Sequence, residues 1–191
     1  MGRLPAGEQG PLLQPLHLVR DEIRRLDHIL EDFLQFARPR EFYPKPVEVV
    51  PVLDRVLTLL GGPAEKRHVR VMRDFEVVPP VAGDEERLQQ VVMNLGLNAI
   101  DAVSNGGWVR VSCRAGDDAE LVEIFIDDGG KGVPVEIRER IFEPFFTTKA
   151  EGSGLGLPIV HAIVTQHGGT ITVEDAPEGG ARFALRVPRA R

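Results

Sequence analysis

Asn94 and Asn98 stand four residues apart in the run Asn94-Leu-Gly-Leu-Asn98-Ala-Ile-Asp101, so a helix presents both amides on one face. Their neighbours Val91, Val92, Leu95, Leu97 and Ile100 are apolar, and an amide among such residues is costly to bury unless something pairs with it. A hard cation carrying phosphate oxygens would satisfy the amide carbonyls. Bonds to neighbouring backbone, or exposure at the helix edge, would satisfy them as well. A second cluster, Asp128-Gly-Gly130-Lys-Gly132-Val-Pro134, follows the apolar run Val122 to Ile126. A carboxylate at a strand end can accept from the exocyclic amine of a purine, and the glycines let the backbone turn closely past a ligand. Tight turns in general also favour Asp and Gly, so this motif alone does not choose a ligand.

Two more clusters follow. Glu143-Pro-Phe145-Phe146-Thr147-Thr148-Lys149 joins aromatics, hydroxyls and a cation. The aromatics suit a hydrophobic plug that anchors a loop. Lys149 suits either a solvated position or, in a loop leading to a glycine-rich segment, a phosphate neutraliser. That segment, Gly152-Ser153-Gly154-Leu155-Gly156-Leu-Pro158, opens an apolar helix, where free backbone N–H groups and the helix dipole favour an anion. Its G-x-G-x-G spacing, without a strand immediately before it, departs from the dinucleotide fingerprint.

The elements that must position these groups are legible in outline. Helical spacing runs from Val52 to about Leu60, and Asp84 is placed to cap a helix reaching about Val103, with Glu85 and Glu86 in its first turn. Strands are predicted at Val69 to Phe75, Trp108 to Arg114, Glu120 to Ile126, Thr170 to Glu174 and Arg182 to Val187, and a helix at about Leu155 to Gln166. The pattern predicts an α+β sandwich, a mixed sheet with helices on one face. Ahead of it, Leu12, Leu16, Val19, Ile23, Leu26, Leu30 and Phe33 form a heptad seam with charged residues between, predicting a long amphipathic helix that needs a partner. Pro39, Pro44 and Pro46 are expected to end it in a stiff linker. The expected organisation is residues 1–10 as a loose N-terminus, 11–38 helical, 39–46 linker and 47–191 the sandwich.

Composition narrows the function. The 191 residues, 42% hydrophobic and 27% charged, are those of an ordinary soluble globular chain. Its 23 Lys+Arg against 29 Asp+Glu give a net charge of −6, which disfavours nucleic acid as the main partner. One cysteine, Cys113, excludes an internal disulfide and a multi-cysteine metal site, and fits a reducing, cytoplasmic setting. Met1 to Gly10 lacks the apolar stretch of a signal peptide. The uncharged run Gly152 to Val173 is broken by glycines, a proline and two histidines and is not read as a membrane span, although a parent protein could be membrane-anchored.

Taken in order, the asparagine helix, D-x-G-x-G, F-F-T-T-K and G-x-G-L-G-L resemble the N, G1, F and G2 boxes of the ATP-binding domain of two-component sensor histidine kinases, over Val47 to Pro188. The helix before it, with Glu22-Ile-Arg-Arg-Leu26 and Phe36-Ala-Arg-Pro39, resembles the second helix of that family's dimerisation and histidine-phosphotransfer domain. The resemblance implies a Bergerat-type (GHKL) ATP fold. Asn98 would hold Mg²⁺ and Asp128 would recognise the adenine amine. Asn94 and Lys149 would lie near the phosphates as the catalytic pair, and Gly130, Gly132, Thr147, Thr148, Gly152, Ser153, Gly154, Leu155 and Gly156 would complete the ATP site. A lid would run from about Pro134 to Ser153.

The resemblance also implies a response regulator as partner and self-association through the Leu12 to Phe33 helix. In that family the phosphoaccepting histidine precedes an acid on an earlier helix. His17 and His28 are followed by Leu18 and Ile29, so neither fits, and this chain is not expected to phosphorylate itself. Related gyrase-like ATPases carry a water-activating glutamate four residues before the metal-binding asparagine, where this sequence has Asn94; slow hydrolysis and transfer to an external nucleophile are expected. Two other readings stay open, an anti-sigma-type serine kinase and a nucleotide-gated interaction module without chemistry.

Overall fold

A computed structural model describes residues 19, 20, 22, 23, 26, 30, 34, 42–116, 118, 120–149 and 152–191. The chain divides into two compact units, Met1–Arg40 and Glu41–Arg191. In the first, the described residues are helical, and Val19, Ile23, Leu26, Leu30 and Leu34 are each more than half exposed. The other seam positions Leu12, Leu16 and Phe33, as well as His17, His28 and residues 1–10 and 39–41, lie outside the described residues.

The second unit begins with β1 (Lys45–Val47), which runs antiparallel to β3 (Val81–Gly83). Lys45 and Pro46, expected in the linker, are therefore strand residues. Three-residue strands carry too little alternation to read, and a proline is tolerated in a strand at the edge of a sheet. Helix α1 (Val49–Lys66) extends well past the expected Leu60, through Gly61, Gly62 and Pro63. Its buried stripe, Val49, Val52, Leu53, Val56, Leu60 and Ala64, explains why. Each large apolar side chain contributes roughly 1.5–3 kcal/mol on burial. Interior glycines cost about 1 kcal/mol each and a proline about 3. Burial wins.

The main sheet has the order β2-β4-β5-β7-β6, formed by β2 (Arg70–Phe75), β4 (Trp108–Ala115), β5 (Leu121–Asp128), β7 (Ala181–Pro188) and β6 (Thr170–Asp175). The β2–β4 pair is parallel and the other pairs are antiparallel. Helices α1, α2 (Glu85–Ala102) and α3 (Gly156–Gln166) cover the face that carries Val109, Val111, Ile124, Ile126, Phe183 and Leu185. Strand β5 is central and buried along nearly its whole length, its carboxylates Glu123, Asp127 and Asp128 included. On the opposite face, Phe125 lies between the guanidinium groups of Arg114 and Arg182, 4.8 and 4.6 Å from its ring centre. Arg182 also forms two 2.7 Å bonds to the fully buried Asp127.

Helix α2 starts where the sequence predicts. Asp84 Oδ1 accepts from the Arg87 amide at 3.1 Å. The Asp84 amide in turn donates to His167 Nε2 at 3.0 Å, and His167 Nδ1 lies 2.8 Å from the Ile163 carbonyl. This buried histidine joins the end of α3 to the start of α2. Because Nε2 must accept, Nδ1 carries the proton. Burial pushes its pKa down, in keeping with a neutral ring.

Candidate functional site

The site is built on α2. Its 3.6-residue period turns Leu88, Val91, Val92, Leu95, Ala99 and Ile100 into the core and leaves Asn94 and Asn98 half-buried at the helix edge. The two amides are thus on one face, as their spacing requires.

Asp128 ends β5, only 2% exposed. Its Oδ1 accepts from the amides of Gly130 (2.8 Å) and Ala181 (3.4 Å), whereas Oδ2 has no donor among the described residues. Burial pushes the carboxyl pKa up, against the lowering by those two amides. A carboxylate in a buried residue that keeps one oxygen without a donor fits an incoming amine.

The surrounding glycines are required by close approach. A Cβ on Gly130 would lie 2.7 Å from both the Ala102 carbonyl oxygen and Asp128 Oδ1. Gly180, at φ +94, would place a Cβ 1.8 Å from the Asp128 carbonyl oxygen, so the β6–β7 turn presses its backbone onto the site. Gly132 has φ +74 and faces the Gly180 carbonyl. Gly180 was not among the site residues expected from sequence, although the Gly179-Gly180 pair marks a tight turn.

Between β5 and α3 the chain makes two short 3₁₀ turns, Val135–Ile137 and Arg140–Phe142. Ile141 is buried, Phe146 packs against the core beneath the Arg140 guanidinium, and Phe145 is 64% exposed with φ +67. The left-handed backbone of Phe145 is held by the hydrogen bond its amide N–H donates to the Gly154 carbonyl at 3.0 Å. At Gly154, φ +68, any Cβ would overlap the Phe145 backbone at 2.5 Å. One aromatic therefore anchors this loop and the other projects from it.

The loop brings Lys149 across to α2. Its Nζ donates to Asn98 Oδ1 and to Asp101 Oδ2, both at 3.0 Å. Thr147 Oγ1 accepts from the Lys149 amide at 3.1 Å, while Thr148 is exposed. Ser153 Oγ accepts from the Leu155 amide at 3.3 Å, just before α3. First-turn amides of a helix have no partner within it, so those of Gly156 and Leu157 are available to an anion. Asp101 joins the site without having been expected from the motifs; its signal in the sequence is a carboxylate three residues after Asn98 on the same helix.

The structure thus gathers on one side of the sheet an amide pair, a buried carboxylate with an unused oxygen, a loop lysine and a glycine-led helix start. Asn98 Oδ1 already faces a cation, the Lys149 ammonium, which fits a hard-cation donor. Mixed sheet, one-sided helices and this site define a GHKL-type α+β sandwich.

The chain belongs to the family described as histidine kinase-, DNA gyrase B- and HSP90-like ATPase, which matches residues 83–191. It is 37% identical over 187 residues to the sensor histidine kinase ZraS of Escherichia coli O157:H7, covering 97% of this chain and 40% of that protein. The chain therefore spans about two fifths of the length of that curated relative. Among solved structures, full-length ShkA in complex with AMPPNP superposes with a TM-score of 0.81 at 27% identity, covering 99% of this chain and 40% of that one. Histidine kinase ThkA in complex with the response regulator protein TrrA gives 0.79 at 26% identity, covering 98% and 53%. Among the described residues, no helix is long and apolar enough to cross a membrane.

Proposed function

We propose that the chain is the ATP-binding catalytic portion of a sensor histidine kinase, passing the γ-phosphoryl group of ATP to a histidine on a separate helix and from there to a response regulator. The convergence of Asn98 and Lys149, 51 residues apart in sequence and 3.0 Å apart in space, is the observation that carries this reading. Asp128 Oδ2 accepts from the adenine amine, and Gly130 and Gly132 let the backbone pass the ring. Asn98 holds Mg²⁺ through its amide oxygen, and the ion supplies neutralisation of the phosphate charge. Asn94 and Lys149 face the phosphates, Thr147, Thr148 and Ser153 line the lid, and Gly152, Gly154, Leu155 and Gly156 wrap the phosphates with backbone N–H groups. The exposed Val19 to Leu34 stripe belongs to a dimerisation helix, in a cytoplasmic setting.

Position 94 carries an amide rather than a carboxylate, so the chain offers no base there to activate water. Hydrolysis is accordingly slow, and a well-placed imidazole is the preferred acceptor. Incubation with ATP, Mg²⁺ and a separate histidine-bearing helix tests this. Acid-labile phosphate on the added histidine supports the kinase reading. ATP binding with no transfer instead favours a nucleotide-gated interaction module, and transfer to serine favours the serine kinase.

A further inference from the structure

Asn98 and Asp101 both turn an oxygen to one ammonium, that of Lys149, at 3.0 Å each. The lysine belongs to the lid and the two acceptors to the helical floor. The second Asp101 oxygen accepts from Arg67 Nη1 at 2.7 Å, and that guanidinium is also fixed by the Ile100 carbonyl at 3.2 Å. One carboxylate therefore serves two cations, and the oxygens around Lys149 Nζ, one amide and one carboxylate, form a donor pair suited to a hard cation.

We propose that Asp101 is a positioning residue of this site and that Lys149 holds the place of the divalent cation in the nucleotide-free protein. The ammonium latches the lid to Asn98 and Asp101. A cation–nucleotide complex enters by exchanging for it, and Lys149 then turns to the phosphates. This rests on the reading of Asn98 as the cation-holding residue. Two cations around one carboxylate leave an excess of positive charge, so a bare divalent ion is repelled while a polyphosphate is attracted. The Lys149 and Asp101 side chains are 46% and 49% exposed, so the latch is weak and opens readily.

Hydrogen exchange on the full chain, free of nucleotide and divalent metal, tests the latch. Asp101→Asn and Lys149→Met are each expected to speed amide exchange in residues 145–149 and 152–155 by about two- to fivefold, the range of an exposed ion pair. The double variant adds nothing further, because both changes break one interaction. Asp101→Glu restores part of the protection. Unchanged lid exchange in both single variants would overturn the latch.

The exchange step is tested with Mn²⁺ alone, followed by electron paramagnetic resonance. Lys149→Met should bind Mn²⁺ more tightly than the parent, and adding Asp101→Asn should remove the gain. Mn²⁺ affinity indifferent to Lys149→Met would overturn the exchange. Failure of the underlying reading shows separately, as Asn98→Ala retaining Mg²⁺-dependent ATP affinity.

Discussion

Asp128→Asn should weaken ATP binding while leaving the fold as stable as before, or more so. Asparagine is nearly isosteric, and its Oδ1 can still accept from the Gly130 and Ala181 amides. Its NH₂ group then stands where Oδ2 did, so a donor faces the adenine amine instead of an acceptor. A hydrogen bond to a charged group contributes about 1.5–3 kcal/mol. At tenfold per about 1.4 kcal/mol, the dissociation constant should rise roughly 10- to 150-fold. Stability moves the other way because burial dominates the upward shift of this carboxyl. A raised folded-state pKa favours the folded protein fully below the unfolded-state pKa, and this contribution is lost as pH rises through the folded-state value. The neutral amide escapes that loss, so the variant should gain on the parent in melting temperature as pH rises from acid to neutral. ATP binding by the parent should fall at a higher pH than an ordinary carboxylate titrates, since only the ionised form accepts both ways. Calorimetric titration and thermal melts across pH measure both. Unchanged affinity, or a variant that unfolds, would refute the assignment of Asp128 as a ligand-facing rather than a structural acid.

Other consequences follow from single contacts. Asn98→Ala should remove the Mg²⁺-dependent part of ATP affinity and leave the circular dichroism spectrum unchanged; retained Mg²⁺ dependence would place the cation elsewhere. His167→Ala strands the part-buried Asp84 amide and should cost about 1–3 kcal/mol in urea unfolding. In the parent, the stability from His167 is fully present above the ordinary imidazole pKa of 6.5 and is lost as pH falls through its lowered folded value. That acid-side slope should vanish in the variant. Gly61→Ala, with nothing within 4 Å of the new Cβ, should stabilise α1 by about 0.5–1 kcal/mol. Gly96→Ala places a Cβ 2.4 Å from Leu60 Cδ1 and should destabilise by about 1–3 kcal/mol. Denaturant midpoints shifting in the same direction for both would contradict the packing of α1 on α2.

Much of this site was legible because its parts are local. The four-residue spacing of Asn94 and Asn98 places them on one helix face in any context, and Asp84 followed by Glu85 and Glu86 marks a helix start wherever it lies. Asp128 stands out as a carboxylate ending an apolar strand. What escaped depends on partners distant in sequence. Nothing near Pro46 indicates that it pairs with Ala82. His167 is legible as a structural histidine after a helix, but not its partner, the Asp84 amide 83 residues away. Gly180 pressing on Asp128 and Asp101 receiving Lys149 are likewise products of the β6–β7 turn and the lid folding back. The length of α1 was hidden by local chemistry pointing the wrong way, since Gly61-Gly62-Pro63 reads as a helix end while the burial of Leu60 and Ala64 carries the helix through.

The central claim is that these residues form one ATP site completed by a cation. Its most direct test is calorimetric titration of ATP and its non-hydrolysable analogue into the chain, with and without Mg²⁺. The account predicts saturable binding of both nucleotides, at one site per chain, tightened by Mg²⁺. Absence of binding, or binding indifferent to Mg²⁺, would contradict it.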